Sequence, residues 1–91
     1  MRTQQTPGAA QPRARNRRLA EKAREVGREG GHLLLHLRRG HHVLKAMGFG
    51  LAARLKELRM GAPIEAVYTP RWNTFRGETS LELLLHDFRT P

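Results

Sequence analysis

Large apolar residues alternate with polar ones over much of the C-terminal two thirds of the chain. In residues 32–38 every second position is a leucine: Leu33, Leu35 and Leu37. Side chains of a strand point alternately to its two faces, so this spacing predicts a strand with one buried face. Residues 39–42 are typical of a turn, and residues 43–49 predict a partner strand, so that the two strands form a hairpin.

The next segment shows a helical period instead. Between residues 51 and 60 the apolar positions Leu51, Leu55 and Leu58 recur at intervals of four and three residues, with charged residues between them. This spacing places the three side chains on one side of a helix. It predicts a short amphipathic helix that ends at Gly61.

Two further strands are predicted after this helix. Residues 64–69 alternate again, and Pro70 is expected to end that strand because proline cannot donate to a ladder of hydrogen bonds. Residues 71–78 are rich in turn-forming residues and predict a connection. Residues 79–88 then predict the last strand. The side chains expected in the core of this part are Tyr68, Leu81, Leu83, Leu85 and Phe88.

The N-terminal third of the chain is more polar. Residues 1–20 contain no acid, and their only large aliphatic residue after Met1 is Leu19. Such a segment cannot bury enough surface to fold, so we expect a disordered basic arm or linker. As an arm it would neutralise phosphates, and as a linker it would be inert. Its arginine-rich, acid-free composition is also similar to that of an organellar presequence.

The order of predicted elements indicates a fold class. A first strand at residues 23–27 completes the order strand, strand, strand, helix, strand, strand. An all-β chain with one short helix between its third and fourth strands has the order of a small five-stranded OB-type barrel. An unclosed sheet with a covering helix fits the same pattern. The sequence therefore predicts an OB-fold domain in residues 21–91.

The composition of the chain excludes several classes of function. A chain of 91 residues holds one domain at most. Its 17 lysines and arginines against 8 acids give a net charge of +9, which favours nucleic acid or another anionic partner. It has no cysteine, which excludes disulfides and thiolate zinc sites. No apolar run approaches the roughly 18 to 20 residues that span a bilayer, so we expect no membrane partner and a cytoplasmic location.

Four segments of the chain are distinctive: GGHLLLHLRRG, VLKAMGFG, GAPIEAVYTP and WNTFRGETSLELLLHDFRTP. Together they resemble the C-terminal OB domain of the bacterial RecJ single-strand-specific exonucleases, from about residue 26 to the C-terminus. The family usually has a polar or basic residue where Leu34 stands, a Gln where Glu82 stands, and no residue where Thr90 interrupts the terminal Arg-Pro. The matching positions of the closing block are Asn73, Gly77, Ser80, Leu81, Leu83, Leu85, Asp87, Arg89 and Pro91.

The resemblance implies a domain that binds single-stranded DNA and positions the strand for a 5′→3′ exonuclease. It also implies that catalysis resides in a separate upstream domain pair with clustered Asp and His ligands. The characteristic Asp-His-His motif is absent here, since His41-His42 has no preceding Asp. The chain is therefore expected not to be an enzyme. Its expected partners are single-stranded DNA and a catalytic nuclease domain or chain.

The residues themselves offer no catalytic or metal-binding constellation. The carboxylates of residues 32–91 are scattered over separate predicted elements, so no acid–base pair emerges. His32 and His36 are four residues apart on one strand, which separates them by about 13 Å, too far to share one ion. We therefore predict no catalytic site, no metal, no cofactor and no small-molecule substrate.

Nucleic-acid binding is expected where aromatic and basic residues are interleaved. In an OB-fold the connection between the last two strands flanks the binding groove, and exposed aromatic rings there can stack on bases. The opposite interpretation is that Trp72 or Phe75 plugs the end of the barrel. The predicted binding residues are Arg38, Arg39, Lys45, Arg71, Trp72, Asn73, Phe75 and Arg76.

Two other functions fit the same sequence. The first is a structural or docking module that packs on a catalytic partner and whose arginines only keep it soluble. The second is a free-standing basic protein that binds RNA, because fold and charge do not distinguish RNA from DNA. Salt-sensitive binding to single-stranded DNA separates the first alternative from the main prediction.

Overall fold

The computed structural model describes residues 13–91 as five strands and one short 3-10 helix. Most of the described residues therefore lie in strands. No helix in this part of the chain is long and apolar enough to cross a membrane. The elements are β1 (Ala14–Val26), β2 (His32–Arg39), β3 (His42–Gly48), the 3-10 helix (Ala52–Glu57), β4 (Pro63–Phe75) and β5 (Glu78–Arg89).

The five strands close into a barrel in the order β1-β2-β3-β5-β4, with β1 pairing β4 to complete the circle. Only β3 and β5 run parallel, and the other neighbours are antiparallel. The predicted all-β barrel is confirmed, and closure excludes the open sheet with a covering helix. Closure also leaves no free edge along the body of the barrel.

Most of the interior is filled by residues that the period of two placed on the inward faces. Two core residues were not predicted by that period: Ala20 was expected in the arm, and Phe88 departs from the alternation of Leu81, Leu83 and Leu85. Each large aliphatic residue removed from water in this way contributes about 1.5–3 kcal/mol. Leu81 is the exception among the predicted core residues, because it is only half-buried. The buried apolar residues are Ala20, Leu33, Leu35, Leu37, Ala46, Ile64, Ala66, Tyr68, Leu83, Leu85 and Phe88.

The first strand begins nine residues earlier than predicted, at Ala14 rather than at residue 23. Residues 14–20, which we expected in the arm, pair with β4 from Ala14 opposite Tyr68 to Leu19 opposite Pro63. The strand then passes a bulge between Ala20 and Lys22 and pairs with β2. Its composition concealed it, because few of its inward positions carry a large apolar side chain. Residues 1–12 of the predicted arm lie outside the described residues.

The predicted helix is shorter and tighter than expected, a six-residue 3-10 helix without a buried residue. Leu51, Leu55 and Leu58 do pack against the edge of the core, as their spacing predicted. The segment is held at its N-terminal end, because the Leu51 amide donates to the Gly48 carbonyl and the Ala52 amide donates to that of Gly31.

The predicted connection at residues 71–78 is wrong, since β4 and β5 continue as a long hairpin. Pro70 does not end β4, because beyond Tyr68 the strand has only β5 as a neighbour among the described residues, and an open edge tolerates proline. The turn consists of two residues, Arg76 with φ +54° and Gly77 with φ +81°. Positive φ at both positions is typical of the tight hairpin turn that follows the twist of the strands.

Candidate nucleic-acid interface

One outward surface of the barrel carries an apolar row that crosses three strands. Residues paired across neighbouring strands share a face. Leu34 of β2 pairs with Met47 of β3, which pairs with Leu84 of β5. Leu34 is only 7% exposed although it points away from the barrel interior. The row therefore forms an apolar floor on the outside of the sheet.

A polar row runs beside this floor. His36 pairs with Lys45, Lys45 with Glu82, and Glu82 with Arg71, so the four side chains cross β2, β3, β5 and β4. Two Arg71 nitrogens donate to Glu82 Oε1, at 2.9 and 3.1 Å. Glu82 is buried, and Lys45 is exposed. Lys45 forms no ion pair with any residue of the described range 13–91. The row therefore offers the ammonium of Lys45 and the Arg71 guanidinium, which Glu82 partly neutralises.

An aromatic ring borders the floor on its other side. Phe49 follows β3 and is 54% exposed. The His32 ring meets it edge-on with ring centroids 5.2 Å apart, and the Arg71 guanidinium lies 6.0 Å from its centroid. The Gly50 amide donates to His32 Nδ1 at 3.0 Å, which fixes the imidazole beside the ring. The ring therefore packs against His32 of β2, lies near Arg71 of β4 and remains more than half exposed.

The glycines around Phe49 explain why the ring can stand there. A Cβ on Gly48 would meet Leu51 Cδ1 at 2.8 Å, and Gly50 has φ +75°, a conformation that favours glycine. The sequence analysis placed Phe49 at the end of a predicted strand and in a segment that carries the resemblance, but it missed Phe49 as a binding residue. The signal that could have identified Phe49 is a bulky aromatic residue between two glycines at a position that the alternation of the strand places on the outward face.

The apolar row, the polar row and the pair of Phe49 with His32 are together called the outer face below. Its members are His32, Leu34, His36, Lys45, Met47, Phe49, Arg71, Glu82 and Leu84. Of the predicted binding residues, Lys45 and Arg71 belong to it.

The β4–β5 hairpin divides the remaining predicted residues between two surfaces. Alternation along β4 places Asn73 and Phe75 on the side of Arg71, and Trp72 on the opposite side. Phe75 is 66% exposed and the Arg76 guanidinium lies 5.1 Å from its ring centroid. The four-residue track predicted from residues 71–76 therefore does not form one surface, although Arg71, Asn73 and Phe75 do extend the outer face.

Trp72 and Arg39 lie at the other surface, the open end of the barrel. Trp72 is 72% exposed and stands opposite Leu81 in the ladder. Since both Trp72 and Phe75 are exposed, neither plugs the barrel end. Two buried side chains fill the interior below this end instead: Arg18 Nη2 donates to the Tyr68 hydroxyl at 3.1 Å.

Arg38 forms an ion pair with Glu21 of β1. Its Nε donates to Glu21 Oε2 at 2.5 Å, and its Nη1 lies 3.4 Å from the Gly40 carbonyl oxygen. Glu21 sits at the bulge of β1. Of the predicted residues on the β2–β3 hairpin, Arg39 and Lys45 are the exposed ones.

Most acidic side chains of the barrel form ion pairs with arginines. Arg54 bonds Glu57 and Asp87, and these hydrogen bonds hold the pKa of both carboxyls below their ordinary values. Burial, with the nearby positive charge of Arg13, lowers the pKa of His86 and so favours its neutral ring. Among residues 13–91 no three His, Asp or Glu side chains are grouped so that they could hold a metal ion.

Comparison of the sequence with known protein families shows the family to which this barrel is related. Residues 7–87 match the RecJ OB domain. The chain belongs to this family. The match to the RecJ OB domain begins before β1, within the segment that was predicted to be an arm. No curated protein matches the chain. A RecJ OB domain is a nucleic-acid-binding module rather than a catalytic one, and the outer face has the aromatic, apolar and cationic groups that such binding uses.

Proposed function

We propose that this RecJ OB domain binds single-stranded DNA along its outer face and positions the strand for a 5′→3′ exonuclease. The observation that carries the proposal is the exposed Phe49 ring, held between His32 and Arg71 at the border of an apolar floor. Hydrolysis is assigned to a catalytic nuclease domain or chain, and the site of action to the cytoplasm, where such a nuclease would meet its DNA.

The chemistry of the outer face suits unpaired bases. A base can stack on an exposed ring only when its own flat face is free, as it is in a single strand. Such stacking contributes about 1–3 kcal/mol per base with little dependence on sequence. Phe49 and Phe75 offer two such rings, and the half-buried Met47 and Leu84 offer apolar contact between the strand and the sheet.

The cations beside these rings suit the phosphates of the same strand. Lys45 is exposed, and Arg71 keeps part of its guanidinium accessible while it bonds Glu82. Each phosphate neutralised by a cation releases counterions, so the affinity falls as salt rises, with a logarithmic slope of about −0.7 per contact on single strands. The proposal therefore predicts salt-dependent binding with a slope of only a few units.

The docking-module alternative is favoured by a different surface. Arg13, Arg15 and Arg17 are exposed at alternate positions, Arg13 just before β1 and the other two within it. An acidic protein surface could pair with such a stripe, and the two functions are compatible because they use different residues. Exchanging Arg15 and Arg17 for Glu would weaken docking to a catalytic partner while leaving the binding of a short oligonucleotide to the outer face nearly unchanged.

Two matched pairs of variants test the main proposal by fluorescence anisotropy with a labelled single-stranded oligonucleotide. Phe49→Leu should weaken binding by about 1–3 kcal/mol, whereas Phe49→Trp should retain it, because only the second keeps a stacking ring. Lys45→Ala should weaken binding and reduce the salt slope by about 0.7. Lys56→Ala, the same change at an exposed lysine of the 3-10 helix, should affect the affinity less. Equal affinities in all four variants would overturn the proposal.

A further inference from the structure

A cavity opens at the end of the barrel where the β2–β3 turn lies, on the opposite side of the β4–β5 hairpin from Arg71 and Phe75. It has a volume of about 460 Å³, within the range of small-molecule sites. Its floor is apolar and its rim is basic, and none of its lining residues within 13–91 is an acid. We call it the barrel mouth. The lining residues are Arg18, Arg39, Gly40, His42, Leu44 and Leu81.

Arg18 is the unusual member of this set, because it is charged and only 9% exposed. Its Nη2 donates to the Tyr68 hydroxyl, which in turn donates to Asn16 Oδ1 at 2.8 Å. Its Nε has no hydrogen-bond partner among residues 13–91, and no carboxylate of this part forms an ion pair with it. A buried guanidinium without an anion is costly, so a bound anion would stabilise this end of the barrel.

The other lining residues of the barrel mouth favour a ligand that has an apolar, flat part as well as an anionic group. Arg39 and His42 are paired across the β2–β3 ladder and both are exposed, so they can donate to the same bound group. Leu44 and Leu81 are half-buried and offer apolar contact. Trp72 shares a face with Leu81, directly opposite it, so its exposed ring can cover a flat group above that leucine.

We propose that the barrel mouth is a second site, which binds one nucleoside monophosphate unit. The phosphate is held by Arg18, Arg39 and His42, and the base lies against Leu81 under the Trp72 ring. Either a free nucleotide or one nucleotide of a strand has this chemistry. The site is separate from the outer face, so its failure and that of the proposed function are distinguishable.

The full chain, labelled with ¹⁵N, tests the site by titration with deoxyadenosine monophosphate, with deoxyadenosine and with inorganic phosphate. Amide shifts are followed by NMR and the fluorescence of Trp72, which is the single tryptophan of the chain, is recorded in parallel. We expect saturable shifts at Gly40, His42 and Leu81, with quenching of Trp72, and binding of the monophosphate about tenfold tighter than of either fragment. Arg39→Gln should weaken it about tenfold, while Arg59→Gln, remote from the mouth, should not.

The outcomes separate the two sites. Shifts at Met47, Phe49 and Gly50 without any at the mouth would overturn this inference and leave the outer face supported. Absence of saturable shifts with the monophosphate, or equal affinity in Arg39→Gln, would overturn it as well. If the monophosphate shifts the mouth, a short oligonucleotide tells the two sources apart. It shifts the mouth and the outer face together when the site takes a nucleotide of the strand, and the outer face alone when the site takes free nucleotide.

Discussion

Strands β4 and β5 have two halves with different surroundings. In the barrel half, Ala66 pairs with Phe88 and Tyr68 with Leu85, and all four side chains are buried. In the hairpin half, every residue from 71 to 80 is exposed. On β4 the buried run ends at Thr69, one residue after β1 stops pairing with β4 at Tyr68. One pair of strands thus holds the fold where it has neighbours on both edges, and exposes its side chains to solvent where it has not.

The largest expected difference between the halves is in stability. Leu83 and Leu81 lie on the same face of β5, two residues apart, and Leu83 is buried while Leu81 is half-buried. Leu83→Ala should lower the free energy of unfolding by about 2–5 kcal/mol, because it leaves a cavity in the core. Leu81→Ala should cost less than half as much. Urea denaturation measures both, and equal losses would contradict the division into halves.

The hairpin half should instead matter for binding. Phe75→Ala should weaken binding of a single-stranded oligonucleotide by about 1–3 kcal/mol, since it removes a stacking ring. The same variant should change the free energy of unfolding by less than about 0.5 kcal/mol, because the ring is largely in solvent. Anisotropy and urea denaturation of the same sample check the two numbers. A loss of stability that accounts for the loss of binding would show that the hairpin half also holds the fold.

The far end of the barrel half should respond to pH. The Arg54 guanidinium lies 4.0 Å from the Phe88 ring centroid and bonds Asp87 and Glu57. Because the pKa of both carboxyls is lowered in the folded state, their contribution to stability is present above their ordinary pKa and is lost as the pH falls through the lowered one. Arg54→Met should therefore lower Tm at about pH 7 and lower it less at about pH 2.5.

A thermal denaturation series by circular dichroism measures this pH effect. The quantity to compare is the difference in Tm between Arg54→Met and the unaltered chain, because other carboxyls titrate equally in both. A difference that stays constant from neutral to acid pH would show that Arg54 acts through its contact with Phe88 alone.

The smallest expected effect lies at the boundary between the halves. Glu82→Gln removes the charge that neutralises Arg71 on the outer face, so Arg71 becomes more available to phosphate. Single-strand affinity should rise about two- to fivefold at low salt, in line with the modest energy of a partly exposed ion pair. Anisotropy at low and high salt checks the change, which should diminish at high salt. A fall in affinity would mean that Glu82 positions Arg71 for binding rather than competing for it.

The parts of the fold that the sequence predicted are those with a period of two in large apolar residues. Leu33, Leu35 and Leu37 identified β2, and the leucines of residues 81–85 identified β5. The first half of β1 was missed because its inward positions include Ala14, Asn16 and Arg18, whose burial depends on partners distant in the chain: Tyr68 bonds both polar side chains. A local pattern contains no information about such partners.

The candidate site was predictable in composition but not in geometry. Residues 71–76 were recognised as aromatic and basic, yet taking them for a loop concealed the alternation that separates Trp72 from Arg71 and Phe75. That error follows from Pro70, whose effect on a strand depends on whether a neighbour stands on its open edge. Phe49 was missed because its role depends on His32 and Arg71, which only the closed barrel brings beside it.

The measurement that tests the central claim most directly is an anisotropy titration of the full chain with labelled single-stranded DNA at two salt concentrations, beside matched duplex DNA and RNA. The outer face as described predicts preference for the DNA single strand over the duplex, with an affinity that falls as salt rises. Tighter binding to the RNA would contradict the choice of DNA. Equally weak binding to all three would mean attraction by charge alone and would make the docking module the better account.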